Sequence, residues 1–253
     1  MRIIAIANQK GGCAKTTTVV SLAACLAELK YRVLVVDLDP QANASRWLGV
    51  DEDHHGSLQL LAGDSLVVDL ITPSAIKNVS LINGSQGLAE IDKFLAGKLA
   101  VESTLSRKLK KIDENGWDFI LIDTPPTLGL LTINALTAAN ELLVPVTTHV
   151  MTLSGVAQLT TTVENVLDIL NPNLRILGYL PCRFDGRTRH SQDVFESLVG
   201  HFGSAVFQTK IRENIRIAEA PSFRESILAY DPKSTVAQDY RDFAKEVLGR
   251  AVN

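Results

Sequence analysis

Unbroken apolar runs that end in glycine or in acidic residues mark the first strands of this chain. RIIAIAN (2–8) leads into a glycine-rich loop, and RVLVVDLDP (32–40) ends in two aspartates and a proline. Between them, residues 16–29 repeat apolar side chains at helical spacing. A continuous apolar run is typical of a buried parallel strand, and a wide apolar face of a packed helix. The order strand, loop, helix, strand therefore predicts a βαβ unit and a parallel sheet.

The alternation of apolar runs and helical patterns continues along the chain. Strands are predicted at 117–126, 141–148, 174–182 and around Val206, and helices at 87–114, 153–170, 190–201 and 235–249. Between 50 and 85, glycines and prolines separate short apolar pieces, so small helices, strands and loops are expected there. The basic run RKLKK (107–111) is expected to form a solvated helix face. No linker or repeat divides the sequence, so we expect one domain (1–253): a doubly wound, mostly parallel α/β sheet flanked by helices.

Composition narrows the class of protein without indicating an activity. The 253 residues are 46% hydrophobic and 21% charged, as in an ordinary globular protein. A net charge of −3 gives the whole chain no general attraction for nucleic acid, so any such binding needs a local basic patch. Three cysteines without metal-type spacing favour a reducing cytoplasm. Neither a signal peptide nor a membrane-spanning run is evident, and the pair His54-His55 is expected to lie in a polar loop.

The loop after the first run, NQKGGCAKTTT (8–18), resembles a phosphate-binding loop but departs from the usual template. In G-x-x-x-x-G-K-[ST], aligned on Lys15 and Thr16, the glycine positions fall on Gln9 and Ala14. Even so, a loop between a buried strand and a helix presents free N–H groups and the positive end of a helix dipole. The sequence therefore predicts an anion site, with a lysine as point charge and a hydroxyl available to Mg²⁺.

Carboxylates at the ends of neighbouring strands extend this prediction from an anion to a magnesium nucleotide. Asp37 and Asp39 end the second run, and Asp123 ends the third. In open parallel sheets ligands bind at the carboxyl edge, where these side chains would meet the lysine-threonine loop. We therefore expect a Mg²⁺-nucleotide site there.

Four motifs together carry a family resemblance over essentially the whole chain. In order they are KGGCAKTTT, VLVVDLDPQAN, FILIDTPPTLGLLTINAL and IRIAEAPSF followed by YDP. This combination resembles the ParA/Soj family of chromosome and plasmid partition ATPases, within the deviant Walker A (MinD-like) superfamily of P-loop NTPases. The resemblance implies a cytoplasmic, nucleoid-associated ATPase that forms an ATP-dependent sandwich homodimer. It also implies slow hydrolysis stimulated by a ParB-like partner.

The resemblance also implies roles for individual residues. Lys10, the signature lysine, would reach the phosphates held by the partner subunit, and Lys15 would hold the β- and γ-phosphates of its own subunit. Thr16 would bind Mg²⁺, Asp123 would act on the metal through water, and Asp39 would help to place the attacking water at the metal site. The other loop residues assigned to the nucleotide are Gly11, Gly12, Cys13, Ala14 and Thr17.

One position departs from the family pattern. The family usually has glycine where this chain has Ala14, and a β-carbon there could crowd the phosphate or strain the loop. Because every other part of the site is present, we expect the backbone at 14 to be compatible with alanine.

DNA binding without sequence preference is implied mainly by the resemblance. Arg187 and Arg216 match the family's DNA-contacting arginines. Residues 183–224 contain seven basic and five acidic side chains, a mild excess of positive charge in a chain that totals −3. The regions around Cys182 and Pro221 would help to enclose the adenine, although a buried structural role suits that thiol better.

Several other functions remain to be distinguished. A ParA-like core could position another cargo on the nucleoid, such as a carboxysome or a chemoreceptor cluster. A metabolic P-loop ligase would need a substrate pocket and no affinity for DNA. The C-terminal segment lacks a cationic amphipathic extension, so no membrane binding is expected. The sequence starts at its first core strand, so an N-terminal helix-turn-helix domain, and with it operator recognition, is not expected.

Overall fold

A computed structural model describes residues 1–50, 56–112, 116–148 and 153–250, with side chains described from residue 158 in the last range. Its strands are β1 Arg2–Ile6, β2 Val33–Asp37, β3 Thr72–Pro73, β4 Val79–Ile82, β5 Phe119–Asp123, β6 Glu141–Thr147, β7 Arg175–Phe184 and β8 Ile211–Arg212. They form one sheet in the order β3-β4-β2-β5-β1-β6-β7-β8. Every pairing is parallel except that of β3 with β4. The predicted doubly wound, mostly parallel sheet is confirmed.

Helices cover both faces of this sheet. The α-helices are α1 Lys15–Glu28, α2 Asn43–Trp47, α3 Gly56–Ala62, α4 Ile91–Leu95, α5 Thr104–Leu109, α6 Leu130–Ala138, α7 Leu153–Ile169, α8 Arg189–Phe202, α9 Ile215–Glu219, α10 Ile227–Tyr230 and α11 Thr235–Gly249. Single 3₁₀ turns occur at Val67–Leu70, Gln86–Glu90, Val101–Ser103, Gly203–Ala205 and Ala220–Phe223.

The alternation of side chains along β1 shows how the two faces are filled. Ile4 and Ile6 enter the apolar layer under α1 and α11, whereas Ala5 and Ala7 enter the layer on the side of α5 and α6. Because both faces are buried, the strand reads as a continuous apolar run rather than an alternating one. The central strands β1, β2 and β5 end at one edge of the sheet, and Asp37 pairs in register with Asp123 there. This edge carries the site.

The structure corrects three of the sequence-based elements. The single helix predicted over 87–114 is broken into short pieces, because Gly97 and Ala100 both adopt left-handed backbone conformations that interrupt it. The strand predicted around Val206 is only an isolated bridge to Tyr179. In the basic run, Lys108 is partly buried and donates to the carbonyl of Gly63, so this side chain is not a merely solvated charge.

Two further predictions can be placed against the described residues. The pair His54-His55 lies outside them. Within them, no helix is both long enough and apolar enough to cross a membrane.

Candidate functional site

A cavity of about 780 Å³ opens at the carboxyl edge of the sheet, between the loop after β1 and the segment that follows β7. The loop contributes a continuous stretch to its wall, and the second strand contributes the residues beyond its end. The lining residues from these two parts are Gly11, Gly12, Cys13, Ala14, Lys15, Thr16, Thr17, Asp39, Gln41 and Asn43. Its volume lies in the range that ligand sites occupy in proteins.

The amino end of α1 is open toward this cavity. No side chain caps the helix, so its first N–H groups are available to an anion. Gly12 has φ +71°, and a β-carbon built on Gly11 or Gly12 would meet no atom within 4 Å. Open space above an uncapped helix end is what a phosphate group requires.

The backbone at Ala14 bears on the one position that departs from the family pattern. Ala14 has φ 69° and ψ 27°, in the left-handed region that favours glycine, so the loop accommodates alanine there with backbone strain. Ala14 is the N-cap residue of α1, which begins at Lys15. Alanine therefore holds a conformation that costs about 1–2 kcal/mol more than it would for glycine.

Lys15 is a buried cation whose charge has no close anionic partner. Its side chain is in a residue only 7% exposed, and its ammonium lies 3.4 Å from the carbonyl oxygen of Lys10 and 4.0 Å from the Cys13 sulfur. No ion pair of Lys15 is found among the described residues. Because a buried charge is costly without a partner, this arrangement favours binding of an anion.

Thr16 and Asp123 together provide the donor set for a magnesium ion. The Thr16 hydroxyl donates to Oδ2 of Asp123 at 2.8 Å, and Oδ1 of Asp123 is buried with no hydrogen-bond partner. Burial, followed by the nearby charge of Asp37, raises the pKa of Asp123 well above its ordinary value. Mg²⁺ is usually held by one or two carboxylates, with substrate phosphates and water completing the shell. An orphaned carboxylate oxygen beside a hydroxyl fits this ion.

The two aspartates after β2 occupy different environments. Asp39 lines the cavity, and its Oδ1 accepts a hydrogen bond from the backbone N–H of Gln41 at 2.9 Å. Asp37 points away from the cavity and is fully buried; burial, more than any other cause, raises its pKa to about 6. It accepts hydrogen bonds from the backbone of Asp39 and from Ser45. The sequence analysis treated Asp37 and Asp39 alike and did not identify Ser45. The spacing of the two aspartates does not indicate which of them faces the cavity and which is buried in the core.

The far wall of the cavity is built by β7, β8 and α9. It contains Cys182, Arg183, Ile211, Arg212, Glu213, Asn214, Ile215, Ile217 and Ala218. The backbone N–H and guanidinium of Arg212 both bind the carboxylate of Asp239 on α11, which holds β8 in place. Cys182 is buried at this wall, as the sequence indicated. Pro221 is not among the residues that line the cavity, and it lies in the 3₁₀ turn Ala220–Phe223 that follows α9.

Besides Pro221, four predicted residues are not among those that line the cavity of their own chain: the fully buried Asp123, and Lys10, Arg187 and Arg216. Lys10 is half-buried and donates its backbone N–H to Asn8, but it is not among the lining residues described. Arg187 and Arg216 are exposed and pair with Asp185 and Glu219 on their own segments. These hydrogen bonds raise the pKa of both guanidinium groups.

Comparison with known proteins identifies a consistent set of relatives. A family model described as an AAA domain matches residues 1–176. The sporulation initiation inhibitor protein Soj of Bacillus subtilis is 42% identical over 97% of this chain and 98% of its own length. The chromosome-partitioning ATPase Soj of Thermus thermophilus is 45% identical over 99% and 96%. Among solved structures, a Mycobacterium smegmatis cobyrinic acid a,c-diamide synthase with bound ADP and magnesium is 36% identical, with a TM-score of 0.86 over 98% of this chain and 94% of its own.

Proposed function

The chain belongs to the ParA/Soj family of partition ATPases, and we propose that it acts as a nucleotide-driven switch on DNA. It is an ATP hydrolase that uses ATP and Mg²⁺. In the proposed cycle the ATP form dimerises, binds DNA without sequence preference and is released by slow hydrolysis. A partner protein would set the rate of that release. Chromosome or plasmid partition is the outcome that this cycle would serve.

The observation that carries the proposal is the pairing of a phosphate loop with a buried, uncompensated lysine. The N–H groups at the start of α1 and the ammonium of Lys15 would hold the β- and γ-phosphates. Thr16 and Asp123 would hold Mg²⁺, directly or through water, and the ion would neutralise charge on the phosphate oxygens. Gly11, Gly12, Cys13, Ala14 and Thr17 would complete the cradle, and Cys182 would border the base.

Asp39 is proposed to position the attacking water. It is the carboxylate of the second strand that reaches the cavity, and the Gln41 N–H already fixes one of its oxygens. Phosphoryl transfer depends on positioning and charge neutralisation more than on covalent chemistry, so a fixed carboxylate suffices for this role.

Lys10 is proposed to act on the nucleotide of a second copy of the chain. Its position outside its own cavity supports this role, because a lysine on the rim can reach a facing subunit. A phosphate contact made across two subunits exists only while ATP is bound, so dimerisation would report the state of the nucleotide.

Arg187 and Arg216 are proposed to contact DNA phosphates. Both are exposed, and dimerisation would double the number of such contacts. Since the whole chain carries −3, the interaction would depend on this local patch and would weaken with salt. Through it the ATP form would associate with the nucleoid.

The experiment that tests this function measures binding to a random-sequence DNA duplex by fluorescence anisotropy with ATP and with ADP. We expect binding with ATP only, and a loss of about tenfold or more in affinity for the Arg187→Ala, Arg216→Ala double variant. The control removes the same charge elsewhere, with Arg32→Ala and Lys77→Ala. ATP-dependent DNA binding that survives the first pair contradicts the assignment. Hydrolysis without any DNA binding at low salt would favour a metabolic P-loop enzyme instead.

A further inference from the structure

We propose that Asp37 is the positioning residue for Asp39: a buried carboxylate outside the cavity that holds the loop from 38 to 45 in the geometry needed for hydrolysis. The inference rests on the proposed role of Asp39, and it assigns a function to a side chain that does not line the cavity. Its basis is a closed set of hydrogen bonds that joins three segments.

Asp37 fixes the loop at both ends. Its Oδ1 accepts from the backbone N–H of Asp39 at 3.0 Å, and its Oδ2 accepts from the backbone N–H of Ser45 at 2.9 Å. The Ser45 hydroxyl donates to the same Oδ2 at 2.6 Å. One rigid side chain on β2 thus anchors both the start of the loop and the first turn of α2.

A third segment closes the set from the side of β4. The Ser45 hydroxyl, while donating to Asp37, accepts from the backbone N–H of Gly84 at 2.9 Å. A β-carbon on Gly84 would lie 2.9 Å from Cγ of Asp37 and 3.0 Å from the carbonyl oxygen of Asp39. The backbone at 84 therefore approaches the loop so closely that only glycine leaves it undisturbed.

The chemistry of the three donors explains why a carboxylate stands here. Two N–H groups and one hydroxyl converge on two oxygens in a fully buried place. An amide at this position would turn an NH₂ group toward one of the donors, and an apolar side chain would leave all three unsatisfied. Burying a charge away from the ligand is costly, and this full set of partners offsets that cost.

Asp37 is close enough to Asp39 along the chain for its hydrogen bonds to affect the rate of hydrolysis. Asp39 lies two residues from Asp37, and its own backbone N–H is one of the anchored groups. A shift of about 1 Å in a positioned group can cost roughly 100-fold in rate. The phosphate loop, in contrast, follows β1 and takes no bond from this set among the described residues. The charge of Asp37 does act on Asp123, so only variants that keep this charge, at Ser45 and Gly84, are expected to leave nucleotide binding unchanged.

The test compares single-turnover ATP hydrolysis with equilibrium Mg-ATP binding in matched variants. Ser45→Ala removes the shared hydroxyl, and Asp37→Asn removes one acceptor. Each should slow hydrolysis about 10- to 100-fold. The Kd of Ser45→Ala for Mg-ATP should stay within about threefold of wild type, whereas Asp37→Asn also removes a charge that acts on Asp123, so its affinity for Mg-ATP is not part of the comparison. The matched control is Ser57→Ala, another fully buried serine beside β4. Among the described residues its hydroxyl bonds only to the Ile82 carbonyl, at 3.4 Å, so the hydrolysis rate should not change.

A second pair of variants tests the approach of the third segment. Gly84→Ala should reduce the hydrolysis rate in the same way, because it displaces the loop. Gly87→Ala should not, because its β-carbon would come close, at 2.7 Å, to the flexible end of the Leu58 side chain, and would lie at an ordinary 3.7 Å from Oγ of Ser85.

Asp39→Ala, measured in parallel, distinguishes the proposed role of Asp39 from the positioning role of Asp37. If Asp39→Ala is inactive while Ser45→Ala and Gly84→Ala hydrolyse at the wild-type rate, the positioning role of Asp37 is wrong and that of Asp39 stands. If Asp39→Ala hydrolyses normally, the proposed role of Asp39 fails first. Equal losses in Ser45→Ala and Ser57→Ala, or a matching loss of Mg-ATP affinity, also overturn the inference. Should Asp37→Asn fail to fold, the serine and glycine variants decide.

Discussion

Replacing Ala14 by glycine tests whether the phosphate loop carries backbone strain. Ala14 and Ala100 both have left-handed backbones, at φ 69° and φ 52°. Ala14 is half-buried against the core beside α1, whereas Ala100 is exposed and distant in sequence from every residue of the site. Ala100→Gly is therefore a matched control: it relieves the same kind of strain without touching the nucleotide.

The magnitude follows from three opposing contributions. Replacing a left-handed alanine by glycine relieves backbone strain and so raises the free energy of unfolding by about 1–2 kcal/mol. The greater conformational freedom of glycine in the unfolded chain lowers the same free energy by about 0.4–1 kcal/mol. For Ala14 the loss of a half-buried methyl group costs roughly a further 0.4 kcal/mol. We expect a net gain of about 0.5 kcal/mol for Ala14→Gly and about 1 kcal/mol for Ala100→Gly. In a chain of this length these gains correspond to melting temperatures about 1–2 °C and about 2–4 °C higher.

Differential scanning calorimetry of the nucleotide-free variants measures these shifts, and isothermal titration with Mg-ATP measures the effect on the site. We expect Ala14→Gly to bind Mg-ATP at least as tightly as wild type, since it removes an atom from the cavity wall. The reasoning is refuted if Ala14→Gly melts about 2 °C or more below wild type while Ala100→Gly melts above it. In that case the methyl group, and not the backbone, dominates at position 14.

Three further variants test the metal and base ends of the cavity. Thr16→Ala should raise the Mg²⁺ concentration for half-maximal hydrolysis about tenfold or more, while ATP binding without metal changes little. Asp123→Asn should abolish Mg²⁺-dependent hydrolysis and yet raise the apo melting temperature at pH 7. Burial raises the pKa of the Asp123 carboxyl in the folded state, so wild type loses stability as the pH rises above the ordinary aspartate pKa of 3.8. The rise in melting temperature of Asp123→Asn over wild type should therefore be smaller at about pH 5 than at pH 7. Asp239→Ala frees β8 and should weaken ATP binding several-fold in titration, with little change in the rate at saturation. Unchanged values in any of these would contradict the corresponding contact.

The parts of the fold that the sequence predicted well are those buried on both faces. Strands such as β1 and β5 have no polar face, so their apolar runs are unambiguous. The strands β3 and β8 are two residues long, and pairing rather than composition defines them. The prediction of one helix over 87–114 is wrong because Ala100 has a left-handed backbone, and the pattern of apolar residues does not reveal the backbone conformation of an alanine.

The same distinction applies to the site. The spacing of Lys15 and Thr16 and the strand-end position of Asp123 predicted that these residues meet, because topology alone brings the loop and the strand ends to one edge. The burial of the Asp37 side chain and its hydrogen bonds to Ser45 depend on how β4 packs beside β2. The spacing of residues along the sequence does not encode this packing. Nor does the sequence show that Ala218 lines the cavity while Pro221 does not.

The central claim is that Lys10 couples nucleotide state to dimerisation, and one measurement tests it most directly. Multi-angle light scattering after size exclusion, with Mg-ATP and with Mg-ADP, gives the mass of wild type, Lys10→Ala and a control Lys77→Ala. For wild type and the control we predict a dimer of about twice 27.5 kDa with ATP and a monomer with ADP. For Lys10→Ala we predict a monomer with either nucleotide. The Kd of this monomer for Mg-ATP should stay within about threefold of wild type. A dimer of Lys10→Ala with ATP that hydrolyses at the wild-type rate would contradict the account.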